Sequence, residues 1–85
     1  MKPVDSELLL RRLTAEEALY QLDQYLYDAF MAGLPSVRIV HGKGTGKLRR
    51  AVQESLAKHP LVKSYRLGGS GEGDYGVTVV ELANR

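Results

Sequence analysis

The segment Val37-Arg38-Ile39-Val40-His41-Gly42-Lys43-Gly44-Thr45-Gly46-Lys47-Leu48-Arg49-Arg50 decides the fold. Its first four residues are short, apolar and β-branched, the composition of a strand. Three glycines then alternate with polar residues over 42–46. Leu48, Ala51, Val52 and Leu56, with Ser55 between them, recur at helical spacing until Pro60 stops the pattern. A strand therefore runs into a glycine loop, and the loop opens a helix.

Upstream, Thr14-Ala15-Glu16-Glu17 has the form of a capping box. The Thr14 hydroxyl can accept from the Glu17 amide, and the Glu17 side chain can reach back to the Thr14 amide. Ala15, Ala18, Leu19, Leu22, Leu26, Ala29 and Phe30 follow in one stripe, flanked by Tyr20, Tyr25 and Tyr27. The spacing predicts a helix over 15–32, ended by Gly33 and Pro35. The run Leu8-Leu9-Leu10 suits a short buried strand before it. Downstream, 62–67 and 77–82 read as two more strands. The nine residues between them hold five glycines, a flexible connection too long for a tight hairpin. The order β-α-β-α-β-β defines an α/β domain with a four-stranded mixed sheet. Each strand-helix-strand unit is expected to join parallel strands, and the last two strands to pair antiparallel.

Eighty-five residues make one domain with a modest core. Residues 1–6, with Pro3 and Asp5, read as a linker or edge segment, and 7–83 as the folded unit. No apolar run nears the roughly 20 residues of a membrane span. The absence of cysteine rules out disulfides, thiolate metal sites and a cysteine nucleophile, and suits a cytoplasmic setting. Scattered carboxylates announce no metal centre. The net charge is +2, but residues 36–66 carry eight basic and one acidic side chain. On charge alone, such a block suits an anionic partner or a solvated helix face equally well.

The loop shifts that balance. Three glycines exceed what one turn needs, and they allow positive φ and close backbone approach to a phosphate. The helix beginning near Gly46 offers unpaired amides and a partial positive charge. Lys43, Lys47, Arg49 and Arg50 add cationic groups. The spacing fits neither a P-loop nor a dinucleotide fingerprint, so no ATP or NAD cofactor is expected here. His41, at the strand's end, reads as a phosphate donor, a proton-transfer group or a structural residue. His59, before Pro60, reads as a helix-end contact. Tyr75 reads first as an exposed loop residue and second as a stacking platform.

These residues resemble the signature of the Smr, or small MutS-related, domain. The likeness runs from about Leu8 to Leu82 and includes Leu13-Thr14-x-x-Glu17-Ala18, His59-Pro60, and Gly71-x-Gly73 before Gly76-Val77-Thr78-Val79. The version ending in Gly-Val-Thr-Val-Val-Glu-Leu is similar to the C-terminal domain of the second bacterial MutS paralogue. The resemblance implies a two-layer α/β sandwich, DNA or RNA cleavage of low sequence preference, and in the longer parent an ATPase core and action on stalled, collided ribosomes. It implies nucleic-acid contacts at His41, Gly42, Lys43, Gly44, Thr45 and Gly46. His41, Lys43 and Arg11 become the candidate cleavage residues, and Arg12 a further contact. The family's Leu-Asp-Leu-Arg-Gly hallmark reads Leu8-Leu9-Leu10-Arg11-Arg12 here. Leu9 replaces an aspartate implicated in cleavage, and Arg12 replaces a glycine. A non-cutting binding module, or an adaptor for an acidic protein, is the alternative to an endonuclease.

Overall fold

The computed structural model describes residues 4–10 and 12–84. Strand β1 (Glu7–Leu9) leads to helix α1 (Ala15–Met31), strand β2 (Ser36–Val40), helix α2 (Lys47–Lys58), strand β3 (Val62–Leu67) and strand β4 (Val77–Leu82). One 3₁₀ turn, Asp74–Gly76, precedes β4. The elements expected from periodicity form, with boundaries moved by a residue or so.

The sheet order is β1-β2-β4-β3. β1 runs parallel to β2, while β4 is antiparallel to both β2 and β3. β2 and β3 thus point the same way, as their crossover requires, but β4 lies between them. The composition explains the insertion. β4 is the most apolar strand, and Thr78, Val80 and Leu82 are buried on its helix-facing side. β3 carries Lys63, Ser64 and Arg66 and stays exposed, with a register shift between Val62 and Ser64. A polar strand with a bulge is tolerated at an edge, and an apolar one gains more at the centre.

The core lies between the sheet and the helices. Ala18, Leu22, Leu26 and Ala29 of α1 meet Leu10, Val37, Ile39 and Val80, while Val52 and Leu56 of α2 complete the cluster. Each large aliphatic side chain buried this way contributes about 1.5–3 kcal/mol. The capping box of α1 is formed in both directions, and Glu16 and Glu17 place negative charge at its positive end. His59, at the end of α2, ties the helices together: its Nε2 lies 2.9 Å from Asp23 of α1. Residues 4–6, read from sequence as part of a linker, are packed onto the domain. Val4 rests against the core, the Tyr25 hydroxyl donates to the Asp5 carbonyl, and the Arg38 amide donates to Ser6. Burial, and then the nearby Asp5 and Glu7 charges, push the Tyr25 phenol up to about 12.

Arg12 turns the chain from β1 toward α1 with φ of 73°, in the left-handed region. An L-residue with a Cβ pays about 1–2 kcal/mol there, which glycine avoids at the expense of unfolded-state entropy. Arg12→Gly is expected to raise stability by about 0.5–1 kcal/mol, a few degrees in Tm. Urea unfolding of both proteins checks this, and an unchanged or lower midpoint would show that the turn carries no strain.

Candidate nucleic-acid interface

β2 delivers the chain to the loop, and α2 takes it away. Between them lies a concave site of about 350 Å³. Arg12 and Leu13 form one wall, residues 41–46 the floor, and Lys47–Arg49 the other wall. All the predicted phosphate contacts except Arg50 and Arg11 line it. Arg50 is exposed on α2 beside it, and Arg11 lies outside the described residues.

The two helix starts differ sharply. At α2 the N-cap is Gly46, left-handed with φ of 87°, and it has no side chain to cap the helix. Its first turn has no acidic residue. It carries Lys47, Arg49 and Arg50 instead. One amide, that of Lys47, finds the Thr45 hydroxyl at a long 3.4 Å. Among the described residues, Arg12, Lys47, Arg49 and Arg50 have no carboxylate within ion-pair reach. Cations at a helix N-terminus oppose the macrodipole by about 0.3–1 kcal/mol each. Gly46, Lys47 and Arg49 at the uncapped helix start line the same concavity as Arg12, which is the electrostatic form of an anion site.

The three loop glycines play different parts. Gly42 and Gly46 take positive φ. At Gly46 a Cβ would also press on the Arg49 guanidinium at 2.9 Å, because Arg49 curls back over the loop. Gly44 has neither constraint: its φ is not positive, and a Cβ there would meet nothing within 4 Å. The expectation of positive φ therefore holds at 42 and 46 and fails at 44, where the protein itself does not require glycine.

His41 borders the cavity but is only 4% exposed. Its Nδ1 lies 3.0 Å from the Gly42 carbonyl, which can only accept, so Nδ1 carries the proton. Nε2 then accepts from the Thr78 hydroxyl at 2.8 Å, and Gln53 of α2 donates to the same hydroxyl at 3.4 Å. Both ring nitrogens are engaged within the protein. Burial, aided by the nearby Arg49 charge, lowers the His41 pKa against the opposing pull of the Gly42 carbonyl. Thr78 and Gln53 escaped the sequence reading. A hydroxyl inside Val77-Thr78-Val79-Val80 was the available signal, since a buried hydroxyl needs a partner.

Leu9 pairs in register with Val40, one residue before His41 on the neighbouring strand. Strand alternation puts it on the other side of the sheet. Leu8 and Ile39 pair on the core side, whereas Leu9 is 52% exposed on the open face. The loop at 68–76, expected to be a flexible connection, has a fixed shape. Arg66 donates twice to Glu72, at 2.8 and 3.0 Å, and the Gly69 amide donates to the same carboxylate. These bonds hold the Glu72 carboxyl down at about 2. Among the described residues, no three His, Asp or Glu side chains cluster as metal ligands.

The His41 environment sets a pH dependence. A histidine whose pKa is lowered by folding stabilises the fold above its unfolded value near 6.5, and this stabilisation is lost as pH falls through the lowered folded value. Stability should therefore decline as pH falls below the unfolded value near 6.5, and His41→Gln should flatten the decline. Denaturant midpoints measured above and below that value check this, and an equal slope in both proteins would show that the ring is not held neutral.

Comparison with known proteins accords with this geometry. The Smr domain family profile matches residues 8–83. The chain is 62% identical over 79 residues to the endonuclease MutS2 of Clostridium beijerinckii, covering 93% of this chain and 10% of that protein. It is 55% identical over 82 residues to that of Pelotomaculum thermopropionicum, covering 96% and 10%. The chain thus spans about a tenth of the length of the curated relatives it matches. The crystal structure of the Smr domain of Thermus thermophilus MutS2 superposes with a TM-score of 0.89 at 48% identity, covering 91% of this chain and 96% of that one. YdaL, a stand-alone small MutS-related protein from Escherichia coli, gives 0.86 at 28% identity, covering 93% and 65%. The fold, the loop and these matches together establish that the chain belongs to the Smr domain family.

Proposed function

We propose that this domain grips the phosphates of DNA or RNA in the cavity at the head of α2. The uncompensated positive end of that helix carries the reading: amides and cations converge there, and among the described residues only Lys43 of the lining cations has a carboxylate partner, the exposed Asp74. A phosphodiester fits this field. The amides around Gly44–Gly46 would donate to its oxygens, and Lys43, Lys47, Arg49 and Arg12 would supply charge. Contacts to backbone phosphates carry no sequence information, so low sequence preference follows. In a longer parent chain with an ATPase core, the domain would be the part that holds the nucleic acid in the cytoplasm. The RNA of a stalled ribosome is one substrate that this grip suits.

Binding without cutting is the form of the reading that the site favours. His41 has both ring nitrogens engaged, so its part is to fix the Gly42 peptide and with it the loop. Leu9 supplies no carboxylate, and its side chain belongs to the open face of the sheet. The relatives named as endonucleases support the second reading, in which Lys43 and the loop amides stabilise charge on a phosphate undergoing cleavage. Nicking of supercoiled plasmid and cleavage of single-stranded RNA separate the two. The wild-type chain is expected to cut neither, and cutting by it would overturn the binding-only form. Cutting by Leu9→Asp alone would give the family carboxylate its role.

Affinity tests the grip itself. Each phosphate contact contributes about 0.9 to the log-log salt slope on duplex DNA. Lys43→Ala is expected to weaken binding to all sequences and to lower that slope by about 1. Gly44→Ala should leave stability within about 0.5 kcal/mol of wild type, or raise it slightly, while weakening binding. Titrations at several salt concentrations, paired with unfolding curves, check both. Failure to bind DNA or RNA even at low salt would leave the basic face to an acidic protein partner.

A further inference from the structure

Tyr75 stands at the lip of the cavity, in the 3₁₀ turn Asp74–Gly76. Its position is built. The Gly76 carbonyl accepts from the amides of both His41 and Gly42, at 3.1 and 2.9 Å, which welds this turn to the phosphate loop. A Cβ on Gly76 would crowd Lys43 Cγ at 3.1 Å, so the turn packs tightly against the Lys43 side chain. The Arg66–Glu72 pair braces the far side of the turn. Lys43 Nζ lies 5.0 Å from the Tyr75 ring centroid and Arg49 Cζ lies 6.0 Å from it. Both cations also line the cavity. Tyr75 is nevertheless 51% exposed.

An exposed aromatic ring fixed beside two phosphate-facing cations has the form of a stacking platform. The Lys43 ammonium can hold a phosphate oxygen at about 2.8 Å, which puts the ring within about 8 Å of that oxygen. One nucleotide can span this gap, with its phosphate in the cavity and its base on the ring. The Lys43–Asp74 ion pair, 3.7 Å long and exposed on both sides, is weak enough to yield to an incoming phosphate. A base inside a duplex is already stacked and offers no free face, whereas an unpaired base does.

We infer that Tyr75 is a nucleobase-stacking subsite, and that through it the domain prefers single-stranded or unpaired nucleic acid over duplex. This rests on the phosphate-binding reading above and specifies its substrate. Expected stacking is worth about 5- to 150-fold in affinity per base.

The test compares four ligands with the intact chain at one salt concentration: short oligo(dT), oligo(U), a duplex of equal length, and an abasic strand with the same phosphates. Tyr75→Ala should weaken oligo(dT) and oligo(U) binding at least fivefold and leave duplex and abasic binding unchanged. Tyr75→Phe should retain wild-type affinity, and circular dichroism should show both variants folded. Wild type should bind the abasic strand about as weakly as Tyr75→Ala binds oligo(dT). If Tyr75→Ala weakens oligo(dT) and the abasic strand equally, the ring merely scaffolds Lys43 and Arg49, and the inference is overturned. Duplex preference in the wild type also overturns it while leaving the phosphate grip intact. If Lys43→Ala changes none of the four affinities, the phosphate reading itself fails and takes this one with it.

Discussion

Positive potential at the head of α2 is the constraint around which the domain is arranged. Lys47, Arg49 and Arg50 occupy the first turn, with Arg12 and Lys43 nearby, and no side chain caps the helix. Opposing the helix dipole in this way costs about 0.3–1 kcal/mol per cation in the first turn. The helix persists because its other face is anchored by Val52 and Leu56, whose burial is worth more. α1 shows the same chain obeying the ordinary rules, with a complete capping box and two glutamates in its first turn. One helix start is arranged for stability and the other gives some of it up. That asymmetry within 85 residues supports the proposed role of the loop as an anion site.

Keeping such a loop in shape falls to neutral groups behind it. Thr78 bonds His41, His41 bonds the Gly42 carbonyl, and the Gly76 carbonyl takes the amides of His41 and Gly42. These bonds are buried or partly buried, so water competes with them weakly, and they need no charge of their own. Conformation is set from the inside by an uncharged network, while charge is presented outward. A protonated imidazole here would add to the positive field and disturb the support at once.

Much of this was legible in the residues. The strand-glycine-helix order, the capping box of α1, the four strands and the basic middle third all follow from local pattern, because caps, turns and amphipathic stripes are decided within a few residues. Four features were not. The central place of β4 depends on the competition between β3 and β4 for the partner beside β2, which is settled over some forty residues of sequence. The engagement of His41 depends on Thr78, on a strand far along the chain. The run Leu8-Leu9-Leu10 has no alternation of its own, so the exposed side of Leu9 became visible only from its pairing with Val40. Tyr75 sits in a glycine-rich stretch whose pattern announces only a turn, and its closeness to Lys43 arises from the Gly76 carbonyl.

The insertion of β4 between β2 and β3 has a bearing on synthesis. The last strand of this sheet in chain order is its keystone, so β2 and β3 have no shared neighbour while residues 77–82 are still inside the ribosome tunnel. The nascent chain can form its helices and the β1–β2 pair early, but its hydrophobic interior can close only at the end. Any chain terminated before that strand loses the middle of its sheet and not a margin. It would leave the ribosome with β2 bare along one side, the kind of unpaired edge that chaperones and proteases recognise.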